Sequence, residues 1–279
     1  MNTAIPLGRK SAIAVAIITV IGIASFMWPF FAPSDSFVVA HSTDAPLIFA
    51  VIIPLLLLLV LAQLSDGGMD AKSIALLGVL AAVIAALRPL GAGLGGIEPI
   101  WVVLILAGRA LGPGFGFVLG SLSLFVSALF TGGVGPWLPF QMLAAAWVGL
   151  GAGLLPKASG KRELALLSVY AAFATIAFGF VLNLWFWPFS LNLPEQIAFT
   201  PGAGVATNVV AWMRFNLATS LGFDLPRAIL TVALIWIAGK PILFLLRRAS
   251  RKAAFGAPIT FEPASDNYSQ KMRRDSLNS

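Results

Sequence analysis

Eight apolar runs, parted by short polar or glycine-rich breaks, leave this chain one kind of fold. A membrane-spanning helix needs about 20 mainly apolar residues to cross a hydrocarbon core of about 30 Å. The runs are Ser11–Phe31, Leu47–Leu64 with Pro54 inside it, Ala71–Leu87, the short Pro99–Gly108, Gly116–Phe130, Leu138–Leu155, Leu164–Trp187 and Pro226–Leu246. In lipid every backbone polar group must be satisfied internally, so such runs are helices. The expected fold is all-α, a polytopic membrane helix bundle. With 59% hydrophobic and 10% charged residues, the 279-residue chain is neither a soluble globular enzyme nor a disordered polymer.

The N-terminus has the outline of a signal peptide: Arg9-Lys10, an apolar run, then Val38-Val39-Ala40. The run of 21 residues exceeds the usual h-region of about 7–15, so a retained span is expected. Lys and Arg placement sets the topology. With the N-terminus inside, eight crossings return the C-terminus inside. The inner side then collects Arg9, Lys10, Lys72, Arg109, Lys157, Lys161, Arg162, Arg247, Arg248, Arg251 and Lys252, and the outer side Arg88, Arg214 and Arg227. A re-entrant Pro99–Gly108 would break this count, because ten residues of helix rise only about 15 Å. Pro188–Leu225 reads as a long outer loop, ordered by its aromatic residues into a lid. The polar tail from Lys252 to Ser279 reads as flexible and cytoplasmic.

Absences narrow the chemistry. The chain has no cysteine and one histidine, His41, so disulfides, thiolate metal sites and a histidine-rich metal cage are excluded. No metal and no cofactor is expected. The net charge of +7 comes from basic residues at the ends of apolar runs, which fits membrane topology and not nucleic acid. There is no GxxxxGK[ST], hence no ATP site, and no acidic pair at mid-membrane to carry protons or sodium. A carrier without an energy source must borrow one from a partner.

Residues 88–156 carry the strongest local signal, with breaks at Arg88–Glu98 and Thr131–Trp137. Non-helical backbone at membrane depth is tolerated only when buried in protein or lining a cavity. Gly91–Gly96 matches GxGxxG, but no strand precedes it, so it reads as a tight loop. Gly112, Gly116 and Gly120, and Gly149 with Gly153, recur every four residues and predict close helix packing. Glu98 before Pro99 reads either as a helix N-terminus or as a polar contact to a ligand or to Arg88. Arg109 reads as a snorkelling side chain. Asp224 and Arg227 read as a cap and short-range ion pair. Most of the eight tryptophans fit an interfacial belt. Gln141 and Asn183, amides inside apolar runs at one depth, do not, and with aromatic walls they suit a pocket for an organic solute. Ala71 and Ala75, and Ala81 and Ala85, are read as intramolecular packing or as a smooth face for another membrane subunit.

Arg88-Pro89, Gly-Gly-Ile-Glu-Pro-Ile-Trp, Gly-Arg-Ala-Leu-Gly-Pro-Gly-Phe-Gly-Phe and Gly-Gly-Val-Gly-Pro-Trp-Leu-Pro-Phe-Gln-Met together resemble the substrate-binding S component of energy-coupling factor (ECF) vitamin transporters. With flanking helices the resemblance covers about Ala71–Leu246. It implies a six-helix core plus two extra N-terminal transmembrane helices. The organisation is then 1–65 for the N-terminal pair, 66–251 for the substrate-binding core and 252–279 for the tail. It further implies a vitamin held in the outer half, a transmembrane coupling (T) subunit and two cytoplasmic ABC ATPases. Alanines at AxxxA spacing in the first core helix would contact the T subunit: Ala71 and Ala75, with Ala81 and Ala85 as rivals. The subunit would topple in the membrane to deliver its ligand.

The expected function is therefore vitamin capture without catalysis, in the plasma membrane, with a lean to cobalamin or a related corrinoid. Riboflavin or a thiamine precursor stays open. The expected ligand residues are Arg88, Glu98, Trp101, Trp137, Gln141, Asn183, Trp187, Trp212 and Arg214, the last closing the lid. A lipid-modifying membrane enzyme, using Glu98 with Arg88 or Asp224 with Arg227, and a solitary transporter are the alternatives.

Overall fold

The computed structural model describes residues 7–34, 71–91, 95–190 and 192–253. Among them the chain forms eight α-helices: α1 Arg9–Met27, α2 Ala71–Leu87, α3 Ile100–Leu111, α4 Pro113–Thr131, α5 Leu138–Leu154, α6 Gly160–Phe186, α7 Val205–Thr219 and α8 Leu221–Ala253. Five helical stretches are long and apolar enough to cross a membrane: Arg9–Phe30, Lys72–Gly91, Pro113–Thr131, Gly160–Phe189 and Leu221–Ser250. The expected span Leu47–Leu64, His41 and the tail beyond 253 lie outside the described residues.

Proline and glycine set the helix ends. Pro89 follows α2, and Pro113 opens α4 at the position where a missing N–H costs nothing. Gly132 closes α4 in the left-handed conformation, φ 67°, which a side chain disfavours. Gly112 takes φ 109° and lets α3 double back into α4 with one residue between them. Leu155, before Pro156, turns extended and ends α5.

Helix α3 is the centre of the bundle. Ten of its twelve residues are buried, and α4, α5 and α8 pack around it. Its twelve residues rise about 18 Å, well short of a hydrocarbon core. Before the helix, Gly96 lies against the Phe223 carbonyl of α8 and Gly91 against the Ile97 carbonyl, both too close for a Cβ. The fourth run is thus the helix Ile100–Leu111 and not Pro99–Gly108.

The glycine spacing does what close packing requires. A Cβ on Gly116 or Gly149 would run into the other's carbonyl, one on Gly120 into the Ala145 carbonyl, and one on Gly153 into Pro113. These contacts bring the backbones of α4 and α5 together along their length. The outer surface is apolar, with Ile17, Val20, Val169, Phe173, Ile229 and Ile237 exposed, as a lipid solvent allows.

The N-terminal helix α1 packs on α5. Trp147 Nε1 donates to Thr19 Oγ1 at 3.1 Å, the Phe26 and Phe140 rings meet edge-on at 4.8 Å, and Gly22 leaves room for Leu143.

Arg109 does not snorkel. It is a corner of a buried cluster at the end of the bundle opposite Glu98. Glu163 is 3% exposed. Its Oε1 accepts from Arg109 Nε at 2.8 Å and from Arg247 Nη2 at 2.5 Å, and its Oε2 accepts from Arg247 Nη1 at 3.0 Å. Arg109 Nη1 also donates to the Leu155 carbonyl at 2.8 Å. A buried charge needs a paired and hydrogen-bonded partner, and Glu163 supplies it to α3 and α8 at once.

The segment after α6 is more regular than a loop. It contains α7, and α8 begins at Leu221, with Asp224 in its first turn and Arg227 one turn further along, forming the expected short-range ion pair.

Candidate functional site

The Glu98 end of the bundle gathers the polar side chains into three clusters around the last turns of α6.

The first cluster is charged. Arg227 on α8 donates from Nε to Glu98 Oε2 at 3.0 Å and from Nη2 to Glu98 Oε1 at 3.3 Å. Its Nη1 reaches Asp224 Oδ1 at 2.6 Å and the Thr175 carbonyl at 3.4 Å. Its guanidinium lies over the Phe178 ring, 5.5 Å from the centroid. Trp101 Nε1 donates to Glu98 Oε2 at 2.6 Å. Asp224 packs flat on Gly179 of α6, where a Cβ would overlap its carboxylate. Glu98 is therefore neither the cap of α3 nor the partner of Arg88; it joins the α3 entrance to α8. Trp101, 1% exposed and 4.4 Å from the Phe178 ring, supports Glu98 from below and presents no open wall.

The second cluster lies between α2 and α5. Arg88, in the 3-10 turn Arg88–Gly91 that continues α2, donates from Nη2 to Gln141 Oε1 at 2.8 Å. Gln141 follows Trp137 by one helical turn, so the two share a face of α5. Trp137 meets Trp185 of α6 edge-on at 6.0 Å.

The third cluster ties α6 to α7. Asn183 Nδ2 donates to Asn216 Oδ1 at 2.7 Å and makes a short contact with Ser220 Oγ. Asn216 Nδ2 donates to the Trp212 carbonyl at 2.8 Å. At the other end of α7, Asn208 exchanges two bonds with the Thr200 backbone, at 2.9 and 3.2 Å. Trp187 is fully buried, donates to the Ile197 carbonyl at 2.7 Å, and stands between Phe30 and Phe199. Trp212 packs on Phe30 and Phe180.

Helix α7 is inside out. Its buried face carries Asn208, Ala211, Phe215 and Asn216, and its exposed face Val210, Met213 and Leu217, at 46%, 49% and 57%. A lid over water would show the reverse. Trp212 meets Phe180 and Asn216 meets Asn183, so α7 runs beside the last two turns of α6. Arg214 is exposed on the outer side of α7 and does not point at the clusters.

Of the nine residues expected at the ligand, eight therefore meet at one end of the bundle and Arg214 stands apart. Sequence reasoning missed Asn208, Asn216, Ser220, Trp28 and Phe30. The two asparagines are eight residues apart on one helix face, a readable spacing once the segment is taken as a helix. A separate apolar groove of about 130 Å³ lies between α5 and α6, bordered by Ala144, Trp147, Tyr170, Phe173 and Ala177. None of the nine borders it.

On α2, Ala81 and Ala85 are each 2% exposed and face the interior. The exposed small residues are Ala75, Gly78, Ala82 and Ala86, and a Cβ at Gly78 would meet nothing within 4 Å.

The family model described as ECF transporter, substrate-specific component, covers residues 72–239. No curated protein and no solved structure matches.

Proposed function

The chain belongs to the family of substrate-specific components of ECF transporters, and on that premise we propose that it captures a water-soluble vitamin and hands it to a coupling subunit driven by separate ATPases. Members of the family are membrane-embedded transporter subunits and not enzymes. The observation that carries the reading is the set of side chains at one end of the bundle. Within an apolar helix set, amides, indoles and compensated charges from α2, α3, α5, α6, α7 and α8 gather at the Glu98 end. Polar groups inside a membrane protein are expensive and mark ligand paths.

In this reading the Glu98 end faces outward, and both termini are cytoplasmic. The ligand contacts are Gln141 and Asn183 for hydrogen bonds, Trp137, Trp187 and Trp212 for walls, and Arg88 for an acceptor-rich edge. Glu98 and Trp101 hold the floor through Arg227. The substrate lean is cobalamin or a related corrinoid, whose peripheral amides suit this set of amides and indoles. The T subunit would dock on α2, at Ala71 and at the exposed face that carries Ala75, Gly78, Ala82 and Ala86, where small residues let helices approach closely.

The test is native mass spectrometry of the protein in mild detergent, with cobalamin, riboflavin and thiamine added in turn. One retained vitamin per chain is expected. No retained small molecule and no mass shift with any of the three would overturn the reading.

A further inference from the structure

The tip of α1 is built into the ring cluster at the Glu98 end, and it lies outside residues 72–239 that the family match covers. Helix α1 runs on into the 3-10 turn Trp28–Phe30. Trp28 meets Phe189 at 6.1 Å and Phe199 at 6.0 Å. Phe30 meets Trp187 at 6.2 Å and Trp212 at 5.9 Å. Just beyond, the Gly202 N–H donates to the Ala32 carbonyl at 3.1 Å, and a Cβ on Gly202 would sit 2.8 Å from that of Ser34. The N-terminal helix thus ends among the indoles already assigned to the ligand.

Donor accounting separates these indoles. An indole N–H is a donor only. Trp101, Trp147 and Trp187 each have an acceptor, in Glu98, Thr19 and the Ile197 carbonyl. The Nε1 atoms of Trp28 and Trp212 are shielded from solvent and have no acceptor among the described residues. Buried polar atoms are hydrogen-bonded in the great majority, and each exception asks for a cause. Ser127 Oγ and Asp224 Oδ2 are further exceptions, but the two indoles belong to one ring network, joined through Phe30, Trp187 and Phe199, at the end of the bundle where ligand capture is proposed.

We propose that the tip of α1 closes the ligand chamber, and that the indole N–H groups of Trp28 and Trp212 bind acceptor atoms on the captured solute: carbonyl or amide oxygens, or ring nitrogens. The inference rests on the reading of the chain as a substrate-capturing subunit. It adds the N-terminal helix to the specificity apparatus and gives the substrate a chemical requirement. The solute presents acceptors to two indoles and a flat or apolar face to Phe30 and Phe199. The rings pack against one another, so the tip of α1 moves off Trp187 and Trp212 as the solute enters.

The test compares Trp28→Phe, Trp212→Phe and, as control, Trp236→Phe, which alters an exposed ring on α8. Phe keeps a ring and removes the donor. Calorimetric titration of the full chain in detergent uses cyanocobalamin, riboflavin and thiamine as probes, with unfolding temperature measured alongside. The expected result is an affinity loss of about five- to tenfold in each of the first two variants, the effect of one neutral hydrogen bond. Unfolding temperature stays level, and the control binds as the parent does. Unchanged affinity in all three variants overturns the inference and leaves the capture reading standing. Failure of the parent chain to bind any of the three probes, with nothing co-purifying, overturns the capture reading and this inference with it.

Discussion

Asn183 on α6 donates its side-chain amide to the side-chain carbonyl of Asn216 on α7, 2.7 Å away. The bond joins two helices that share little other polar contact, and Asn183 also meets Ser220 at the α7–α8 junction. Interhelical hydrogen bonds of this kind in membrane proteins contribute about 0.6–2 kcal/mol. Asn183→Leu is expected to loosen α7 without unfolding the bundle. Backbone amides of 205–219 would exchange with deuterium faster, while those of α4 and α5 keep their protection. Unchanged exchange in α7 would mean that Trp212 and Phe215 packing alone holds it.

Glu163 neutralises the largely buried Arg109 and the half-buried Arg247, and its loss leaves both uncompensated. Breaking a buried pair from one side costs about 3–5 kcal/mol. Glu163→Gln should therefore lower the unfolding temperature more than any single change at the Glu98 end. Replacing Glu163, Arg109 and Arg247 together by Met should recover most of the loss, because the penalty lies in the stranded charges. A triple variant as unstable as Glu163→Gln would count against that account.

The α4–α5 seam tolerates no added carbon. Gly120→Ala pushes a methyl into the Ala145 carbonyl, and overpacking of this kind costs about 1–3 kcal/mol. Gly78→Ala, on the open face of α2, should be neutral or stabilising by up to about 1 kcal/mol through helix propensity. Thermal unfolding of the two variants side by side separates packing from propensity.

A bulky residue on the α2 face should separate capture from delivery. Ala82→Trp is expected to leave vitamin affinity unchanged and to abolish co-purification with a coupling subunit. Retained assembly would move the docking surface elsewhere.

The chain has no cysteine, so single cysteines report cleanly on α7. Cysteines at Val210, Met213 and Leu217 should resist a charged, membrane-impermeant maleimide in vesicles and react with a lipid-soluble one. One at Arg214 should react more readily with the charged reagent, since its long side chain marks the polar margin. Uniform labelling by the charged reagent would place α7 in water.

Much of this architecture was legible in the order of residues. Ala71–Leu87 was read to the residue, and Pro113, Gly132 and Pro156 mark ends that the backbone obeys for steric reasons. The Gly112–Gly120 and Gly149–Gly153 spacings predict close helix packing, and the α4–α5 contact is where the structure uses it. What escaped was long-range or inverted. Arg109 and Glu163 are 54 residues apart and Glu98 and Arg227 are 129 apart, and no local rule pairs charges over such distances. Helix α7 escaped because its polar residues point inward, so a reading that expects polar residues in water takes it for a lid. Ala81 and Ala85 share the spacing of the exposed alanines but lie on the opposite side of α2, and spacing alone does not distinguish two faces of one helix.

Helix α8 takes part in both charged clusters, through Arg227 at one end and Arg247 at the other. The two arginines are twenty residues apart in sequence, about 30 Å along a helix, which is the thickness of the hydrocarbon layer. The protein therefore carries a depth gauge. Set across a bilayer of that thickness, its two charged clusters would lie near the two edges of the oil, and a thinner or thicker bilayer would drag one of them off its boundary. Any tilt of the whole subunit must work against that fit, so lipid thickness becomes a setting that governs how readily it leans.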